Sequence, residues 1–100
     1  MTRDEELGVI REVLDGRTDR FGDLVLAHQK GIYNLCLRML GNEQDALDAS
    51  QEAFFRAFRS LASFRGESRF SVWLYRLASN ACLDTLRRRS AAKELPLTDE

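Results

Sequence analysis

The stretch that decides the fold is residues 42–90, NEQDALDASQEAFFRAFRSLASFRGESRFSVWLYRLASNACLDTLRRRS. Apolar residues recur in it at three- and four-residue spacing on either side of a short polar break at residues 63–67. That period is typical of amphipathic helices. The stretch therefore predicts one helix over residues 43–62 and another over residues 69–90. Asn42 favours the start of the first of them, since asparagine is a good N-cap.

Two further helices are predicted upstream of this stretch. Residues 4–14 follow a capping-box pattern formed by Thr2 and Glu5 and carry an apolar stripe. Residues 19–40 keep the same period and end at Gly41, a residue type that favours the left-handed conformation of a helix end. The sequence contains no sustained period-two alternation and no hairpin turn pair. The expected fold is therefore all-α, a compact bundle of about four helices.

The apolar stripes also predict which side chains fill the core. Gly31, inside the second helix, indicates a close approach between helices. Cys36 and Cys82 lie in apolar helical patterns without a Cys-x-x-Cys pair, so both are expected to be buried free thiols and not metal ligands. His28 lies on the apolar face of the second helix and is interpreted as a core-edge histidine. Where the third and fourth helices meet, six side chains are expected to be mostly buried: Leu47, Phe54, Phe58, Leu61, Leu74 and Leu77.

Charge divides the chain into two halves. Its 100 residues are 44% hydrophobic and 31% charged, which is typical of one soluble domain. Residues 1–55 hold six basic and eleven acidic side chains, whereas residues 56–93 hold nine basic and two acidic ones. An acidic half joined to a basic half indicates two surfaces with two partners, the basic one suited to phosphates. The alternative is that both halves are solvated faces without a partner.

The acidic candidate surface is the outward side of the third helix. Asp48 and Glu52 stand four residues apart and so share a face, with Phe55 beside them. An exposed aromatic ring among carboxylates is a suitable anchor for a basic helical partner. A solvated acidic face is the alternative. The candidate partner-binding residues are Asp45, Asp48, Gln51, Glu52, Phe55, Arg56 and Arg59.

The basic candidate surface comprises the break and the fourth helix. Trp73, Asn80 and Arg87 recur every seven residues and nearly line up along that helix. Arginines reach phosphates, asparagine bonds base edges and aromatic rings stack on unpaired bases, so the combination indicates single-stranded nucleic acid. The alternatives are a core role for Trp73 and a helix-dipole role for the arginines near the helix end. The candidate nucleic-acid contacts are Phe64, Arg65, Ser68, Arg69, Trp73, Arg76, Asn80, Arg87 and Arg88.

The two signals occur in one order, and in that order the sequence resembles the second conserved region of sigma-70-family factors, in the extracytoplasmic-function subgroup. The resemblance rests on DALDASQEAFFRAFR at residues 45–59 and SFRGESRFSVWLYRLASN at residues 63–80, and it covers roughly residues 21–89. It implies that the third helix binds the clamp helices of the β′ subunit of RNA polymerase. It also implies that the loop and fourth helix bind the minus-ten promoter element. Leu47 and Ser50 depart from the pattern, which usually has an acidic and a branched apolar residue there.

The resemblance implies a non-enzymatic transcription-initiation factor of the sigma region 2 fold. Its expected partners are the RNA polymerase core and the single-stranded non-template strand of the minus-ten element, with an anti-sigma factor as a further partner. No cofactor or metal is expected. The chain has one histidine and no convergent set of acid, base and nucleophile, so an enzyme is not expected. The alternative is a helical protein-interaction module without DNA binding.

The resemblance also predicts the domain organisation. Residues 1–92 are expected to form the region 2 domain, and residues 93–100 to begin an interdomain linker. The second helical domain that is usual in such factors has no counterpart in the sequence. The amino terminus is acidic, and no apolar run approaches the roughly 20 residues of a membrane span. A cytoplasmic location is therefore expected.

Overall fold

The computed structural model describes residues 1–94, with the side chain of the last of these left out. No strand occurs among these residues, which confirms the all-α prediction. Single 3-10 turns precede the second helix, at Thr18–Arg20, and follow the third, at Leu61–Ser63. The four helices are α1 (Arg3–Leu14), α2 (Phe21–Leu40), α3 (Glu43–Arg59) and α4 (Phe70–Glu94).

The helix boundaries differ from the predicted ones by more than two residues at two places. The third helix ends at Arg59 and not at residue 62, because the chain tightens into the 3-10 turn Leu61–Ser63. The fourth continues to Glu94, four residues beyond the predicted end and into the first residues of the predicted linker. The rest of that linker, residues 95–100, lies outside the described residues.

The predicted helix caps are present. The amide of Glu5 donates to the Thr2 hydroxyl oxygen (3.1 Å), and the Glu5 carboxylate accepts from the amide of Thr2 (2.8 Å), which completes the capping box. The amide of Asp45 donates to the Asn42 side-chain oxygen at 2.9 Å. Gly41 adopts φ +80° at the end of α2, a conformation that other residues rarely adopt. These caps fix where α1 and α3 begin and where α2 ends.

The face of α3 that enters the core is made of alanines. Ala46, Ala49, Ala53 and Ala57 are buried, and their three- and four-residue spacing gives α3 a smooth face against α2 and α4. The prediction that Leu47 and Phe58 are mostly buried is therefore wrong, since 47% of the first and 41% of the second are exposed. Small side chains let the neighbouring helices approach, so the larger ones of α3 are displaced to its flanks.

The large side chains of the core come from the other elements. Leu61 and Leu74 are fully buried, as predicted, whereas Phe54 and Leu77 are only partly buried. The predicted close approach at Gly31 is confirmed, because a β-carbon there would lie 2.6 Å from the hydroxyl oxygen of Tyr75 on α4. The fully buried large side chains are Leu24, Ile32, Cys36, Leu61, Phe70, Leu74 and Cys82.

The two cysteines are buried free thiols, as predicted. Cys36 lies on α2 and Cys82 on α4. Burial, together with a hydrogen bond with Cys36, raises the pKa of the Cys82 thiol to about 12. The Cys82 side chain therefore remains neutral, and both buried cysteines serve as small apolar groups of the core. Within residues 1–94, no group of His, Cys, Asp and Glu side chains is placed to hold a metal ion.

Helix α1 is joined to the remaining bundle by a buried polar pair. His28 Nε2 lies 2.7 Å from Glu6 Oε2, and Glu6 is almost fully buried. The His28 ring also packs on Phe70 at the start of α4, with 5.4 Å between ring centroids. His28 is therefore the core-edge histidine that the sequence predicts, and it connects three helices. None of the described helices is both long and apolar enough to cross a membrane.

Candidate nucleic-acid and partner-protein surfaces

The outward face of α3 carries the predicted acidic and aromatic residues together. Asp48 and Gln51 are exposed, and 54% of Phe55 is exposed beside them. The Arg59 guanidinium lies over the Phe55 ring, with its Cζ atom 4.4 Å from the ring centroid, which is cation–π geometry. The surface formed by Asp48, Gln51 and Phe55 is called the α3 face below. Its exposed ring and uncovered carboxylate fit the expected partner-binding role.

Glu52 and Arg56 belong partly to the internal structure. Arg56 Nε lies 2.8 Å from Glu52 Oε2, and Arg56 Nη2 lies 2.8 Å from Asp84 Oδ2 on α4. The hydrogen bond from Arg56 holds the pKa of Asp84 below its usual range. Because two carboxylates hold Arg56 between α3 and α4, its predicted partner-binding role is subordinate to this structural one. Glu52 also lies 3.9 Å from Arg59, so its charge is largely compensated within the domain.

The Asp45 carboxylate forms an ion pair within the domain that the sequence does not indicate. Arg89, near the end of α4, donates hydrogen bonds to the Asp45 carboxylate and to the carbonyl oxygen of Leu40. The Asn42 side-chain amide donates to the same carboxylate at 3.0 Å. The bond from Arg89 is the main cause that lowers the pKa of Asp45. Asp45 thus ties α3 to α4 and presents less of its charge to a partner than the sequence predicts.

The structure adds two residues to this surface that the sequence places in the core. Leu47 and Phe58 are exposed on the flank of α3. The Phe58 ring packs edge-on against Phe21 of α2, with 5.2 Å between the ring centroids. The alanine repeat of α3, at helical spacing, is the sequence signal that would have revealed them, because it occupies the core side. Leu47 also borders a groove of about 480 Å³ between α2 and α3. The groove is lined by Val25, Gln29, Lys30, Tyr33, Leu47, Ser50, Gln51 and Phe54.

The loop between α3 and α4 is built on an aromatic cluster. Phe64 packs against Phe70 at 5.5 Å and against Trp73 at 5.3 Å between ring centroids, and Phe70 packs against Trp73 at 5.6 Å. Phe70 is buried, whereas the other two rings are partly exposed. Trp73 therefore belongs both to the core edge and to the surface, which reconciles the two interpretations of its spacing. Gly66, at φ +75°, turns the chain between Phe64 and Phe70.

The outward face of α4 brings two of the predicted nucleic-acid contacts together. Arg76 and Asn80 are exposed and line one side of a shallow groove of about 420 Å³. The other lining residues, which the sequence analysis does not single out, are Val72, Tyr75 and Ser79. Arg65 and Arg69 are exposed at the loop that leads to this helix. The surface formed by Arg76, Asn80 and this groove is called the α4 face.

Two further predicted contacts are set apart from Arg76 and Asn80. Arg87 lies 3.3 Å from Asp84, so its charge is partly compensated. Arg88 donates to the Thr85 hydroxyl at 3.3 Å and lines a different groove, of about 330 Å³, between α3 and α4. Ser68, in the loop, donates to the carbonyl oxygen of Arg69 at 3.2 Å. The predicted contacts on α4 therefore form a row with Arg88 on its flank, and the other four, Phe64, Arg65, Ser68 and Arg69, lie in the preceding loop.

The amino-acid sequence was compared with family models and with known proteins. The Sigma-70 region 2 family model matches residues 24–92. The ECF RNA polymerase sigma factor SigW of Bacillus subtilis is 45% identical over 80 residues, which are 80% of this chain and 43% of that protein. The RNA polymerase sigma-H factor of Pseudomonas aeruginosa is 38% identical over 89 residues, which are 89% of this chain and 46% of that protein. The chain thus spans less than half the length of these curated relatives.

A solved structure has the same arrangement of helices. The NMR structure of an engineered region 2 of sigmaE in complex with GTAAAA matches with a TM-score of 0.80 and 34% sequence identity. The match covers 87% of this chain and 90% of that chain. Nearly the whole of each molecule therefore shares one fold.

Proposed function

Because the chain belongs to the sigma-70 region 2 family, and within it to the extracytoplasmic-function sigma factors, we propose that it binds the minus-ten promoter element as an open single strand while docked on the β′ clamp helices of RNA polymerase. The family confirms the resemblance seen in the sequence and the expectation of a non-enzymatic factor. The observation that carries the proposal is the likeness to a region 2 that was solved in complex with GTAAAA.

The α4 face and the preceding loop supply the proposed nucleic-acid contacts. Arg65, Arg69 and Arg76 are exposed, and charged side chains of this kind bind phosphates without regard to sequence. Asn80 lies beside Arg76 in the groove, where its amide is available to a base edge. Phe64 is partly exposed at the loop and offers a ring edge or face for stacking. These groups fit a strand whose bases are unpaired better than a closed duplex.

The energies involved explain why the domain is proposed to act together with polymerase. Flipping one base out of a duplex costs a few kcal/mol. Stacking of a base on an aromatic side chain contributes about 1–3 kcal/mol. One base is therefore close to break-even, and contacts between the domain and polymerase must supply the remaining free energy. The domain works by differential binding, because its contacts to bases exist only when the strands are apart.

The α3 face supplies the proposed polymerase contacts. It combines the carboxylate of Asp48 with the exposed ring of Phe55, and the structure adds the apolar side chains of Leu47 and Phe58 on the flank. Apolar anchors surrounded by charge are what a helical partner of opposite charge requires. The clamp helices are proposed to lie across this face and the groove that Leu47 borders. An anti-sigma factor, the third expected partner, would act by covering either face.

The proposal is tested by binding of single-stranded GTAAAA, and of the same sequence embedded in a longer stable duplex, to the chain with and without a β′ clamp-helix fragment. We expect the single strand to bind more tightly than the duplex and to form a ternary complex with the fragment. Equal affinity for the two DNA forms would contradict promoter opening. Fragment binding without any DNA binding would instead favour the alternative, a helical protein-interaction module.

A further inference from the structure

Helix α1 contacts the loop that is proposed to read bases. Arg3 Nη2 donates to the carbonyl oxygen of Gly66 at 2.7 Å, across 63 residues of sequence. The side chain of Leu7 lies on the same loop, with its Cδ2 atom 3.9 Å from the position that a β-carbon of Gly66 would take. A groove of about 330 Å³ runs between the helix and the loop. Its lining residues are Leu7, Ile10, Arg11, Leu14, Phe64, Arg65 and Gly66.

The position of Arg3 is itself fixed by the fold. The capping box of Thr2 and Glu5 sets the first turn of α1, in which Arg3 is the first residue. One turn further, the buried carboxylate of Glu6 bonds His28, whose ring packs on Phe70. Phe70 is the first residue of α4 and a member of the aromatic cluster with Phe64. Helix α1 is therefore linked through His28 to Phe70, at the carboxyl end of the loop, and its Arg3 side chain is hydrogen-bonded to Gly66 in the middle of the loop.

We propose that Arg3 is a positioning residue for base recognition: its bond to the Gly66 carbonyl holds the 64–69 loop in its binding conformation. The inference rests on the proposed function, since it assigns a role in promoter reading to a residue that need not touch DNA. The family model begins at residue 24, so α1 lies outside the residues that it matches. A loop held before binding loses less conformational freedom when the strand arrives.

Replacement of Arg3 should lower the preference for one DNA sequence more than it lowers the overall affinity for DNA. Phosphate contacts from α4 do not depend on the loop, so binding of any sequence should persist when Arg3 is replaced. Binding of the preferred sequence also requires the ordered loop, and it should therefore weaken selectively. One hydrogen bond of this kind corresponds to about a two- to tenfold change in an equilibrium constant. The expected effect is a fall of that size in the ratio of affinities for matched and scrambled strands.

The test compares Arg3→Met with Arg17→Met in the full chain. Both variants lose one positive charge, but Arg17 is exposed and its described side-chain bond is to Glu12 of α1 at 3.4 Å, not to a residue of the loop. The probes are single-stranded GTAAAA and its permutation AGATAA. We expect Arg3→Met to lower the affinity ratio about two- to tenfold and Arg17→Met to leave it unchanged. Backbone order parameters of residues 65–68, measured by ¹⁵N relaxation without DNA, should fall only in Arg3→Met.

Two results would overturn the inference. Order parameters of residues 65–68 that are the same in Arg3→Met and Arg17→Met would show that Arg3 does not hold the loop, whatever the DNA does. A more mobile loop with an unchanged affinity ratio would show that the position of the loop does not affect base recognition. If the parent chain itself prefers no single strand over its permutations, the proposed function fails, and a more mobile loop in Arg3→Met would still establish the structural contact.

Discussion

Arg56 on α3 and Asp84 on α4 form an ion pair at 2.8 Å, which joins the helix proposed to face polymerase to the helix proposed to face DNA. The same guanidinium holds Glu52 at 2.8 Å. The pair bridges α3 and α4 beside the closely packed alanine face of α3. The two candidate surfaces are therefore joined by a direct side-chain contact between their helices.

Removal of the charge of Asp84 should lower stability in a pH-dependent way. The hydrogen bond from Arg56 lowers the pKa of Asp84 in the folded state, so its contribution is present above the unfolded pKa of about 3.9 and is lost as the pH falls through the lower folded value. Asp84→Asn should therefore melt below the parent at pH 7, and the difference should shrink as the pH falls below about 3.9. Asp48→Asn, which removes an exposed carboxylate of α3, is the control. A melting difference for Asp84→Asn that is constant from pH 7 to pH 2 would contradict this role.

The alanine face of α3 should tolerate enlargement poorly. Ala53 is fully buried between helices, so Ala53→Leu should destabilise the fold by about 1–3 kcal/mol or more. Phe58→Ala removes a much larger side chain, but from a position that is 41% exposed, and should cost less than the roughly 3–5 kcal/mol of a buried phenylalanine. Urea denaturation of the two variants measures both values. A loss of about 3–5 kcal/mol for Phe58→Ala together with no loss for Ala53→Leu would mean that Phe58, and not Ala53, faces the core.

The contact between Gly31 and Tyr75 should be detectable by a double-mutant cycle. A β-carbon at Gly31 meets the Tyr75 hydroxyl at 2.6 Å, whereas a β-carbon at Gly22, on the same helix, meets nothing within 4 Å. Gly22→Ala should gain up to about 1 kcal/mol from helix propensity, and Gly31→Ala should gain less, because the exposed Tyr75 ring must move aside to admit the β-carbon. Adding Tyr75→Phe should recover most of this difference, since the clashing atom is removed. Equal stabilities of the two alanine variants would contradict the close approach.

The α3 face should be tested at Asp48 and not at Glu52. Glu52→Lys would place a third cation beside Arg56 and Arg59 and so disturb folding as well as binding. Asp48 is exposed and accepts only from Gln44, at 3.1 Å, among the contacts described. Asp48→Lys should weaken binding of a β′ clamp-helix fragment by about 1 kcal/mol or more with an unchanged melting temperature. The exposed Asp19→Lys, in the 3-10 turn Thr18–Arg20 and outside α3, should bind as the parent does. Calorimetric titration in which both variants behave alike would reject the assignment.

The sequence predicts that the four helices exist, where they are capped and in which order the two candidate surfaces occur. Each of these features depends on residues that are close together in the chain. The capping box at Thr2, the N-cap at Asn42 and the glycine at the end of α2 all act within one helical turn. The rotation of α3 was not predictable in this way. Its large apolar residues and its alanines both follow helical spacing, and only the close packing of α2 and α4 decides that the alanines enter the core.

Long-range ion pairs account for the remaining differences in the candidate site. Asp45 and Arg56 carry the charges expected of a partner-binding surface, but Arg89 and Asp84, 44 and 28 residues away, hold them within the domain. No pattern along the chain signals these contacts, because they depend on how α3 and α4 cross. The contact of Arg3 with Gly66 was missed for the same reason.

The central claim, that α4 and the preceding loop read unpaired bases, is tested most directly by the affinities of Asn80→Ala and Arg76→Ala for single strands over a range of salt concentrations. One strand is the sequence that the parent chain enriches from a random pool of single-stranded oligonucleotides. The other is a scrambled form of that sequence. Arg76→Ala should weaken both strands equally and reduce the salt slope by about 0.7, the value for one lost phosphate contact on single strands. Asn80→Ala should remove the preference for the selected strand and keep most of the affinity for the scrambled one. If both variants weaken both strands to the same extent, the basic half only attracts phosphates and the account of base reading is contradicted.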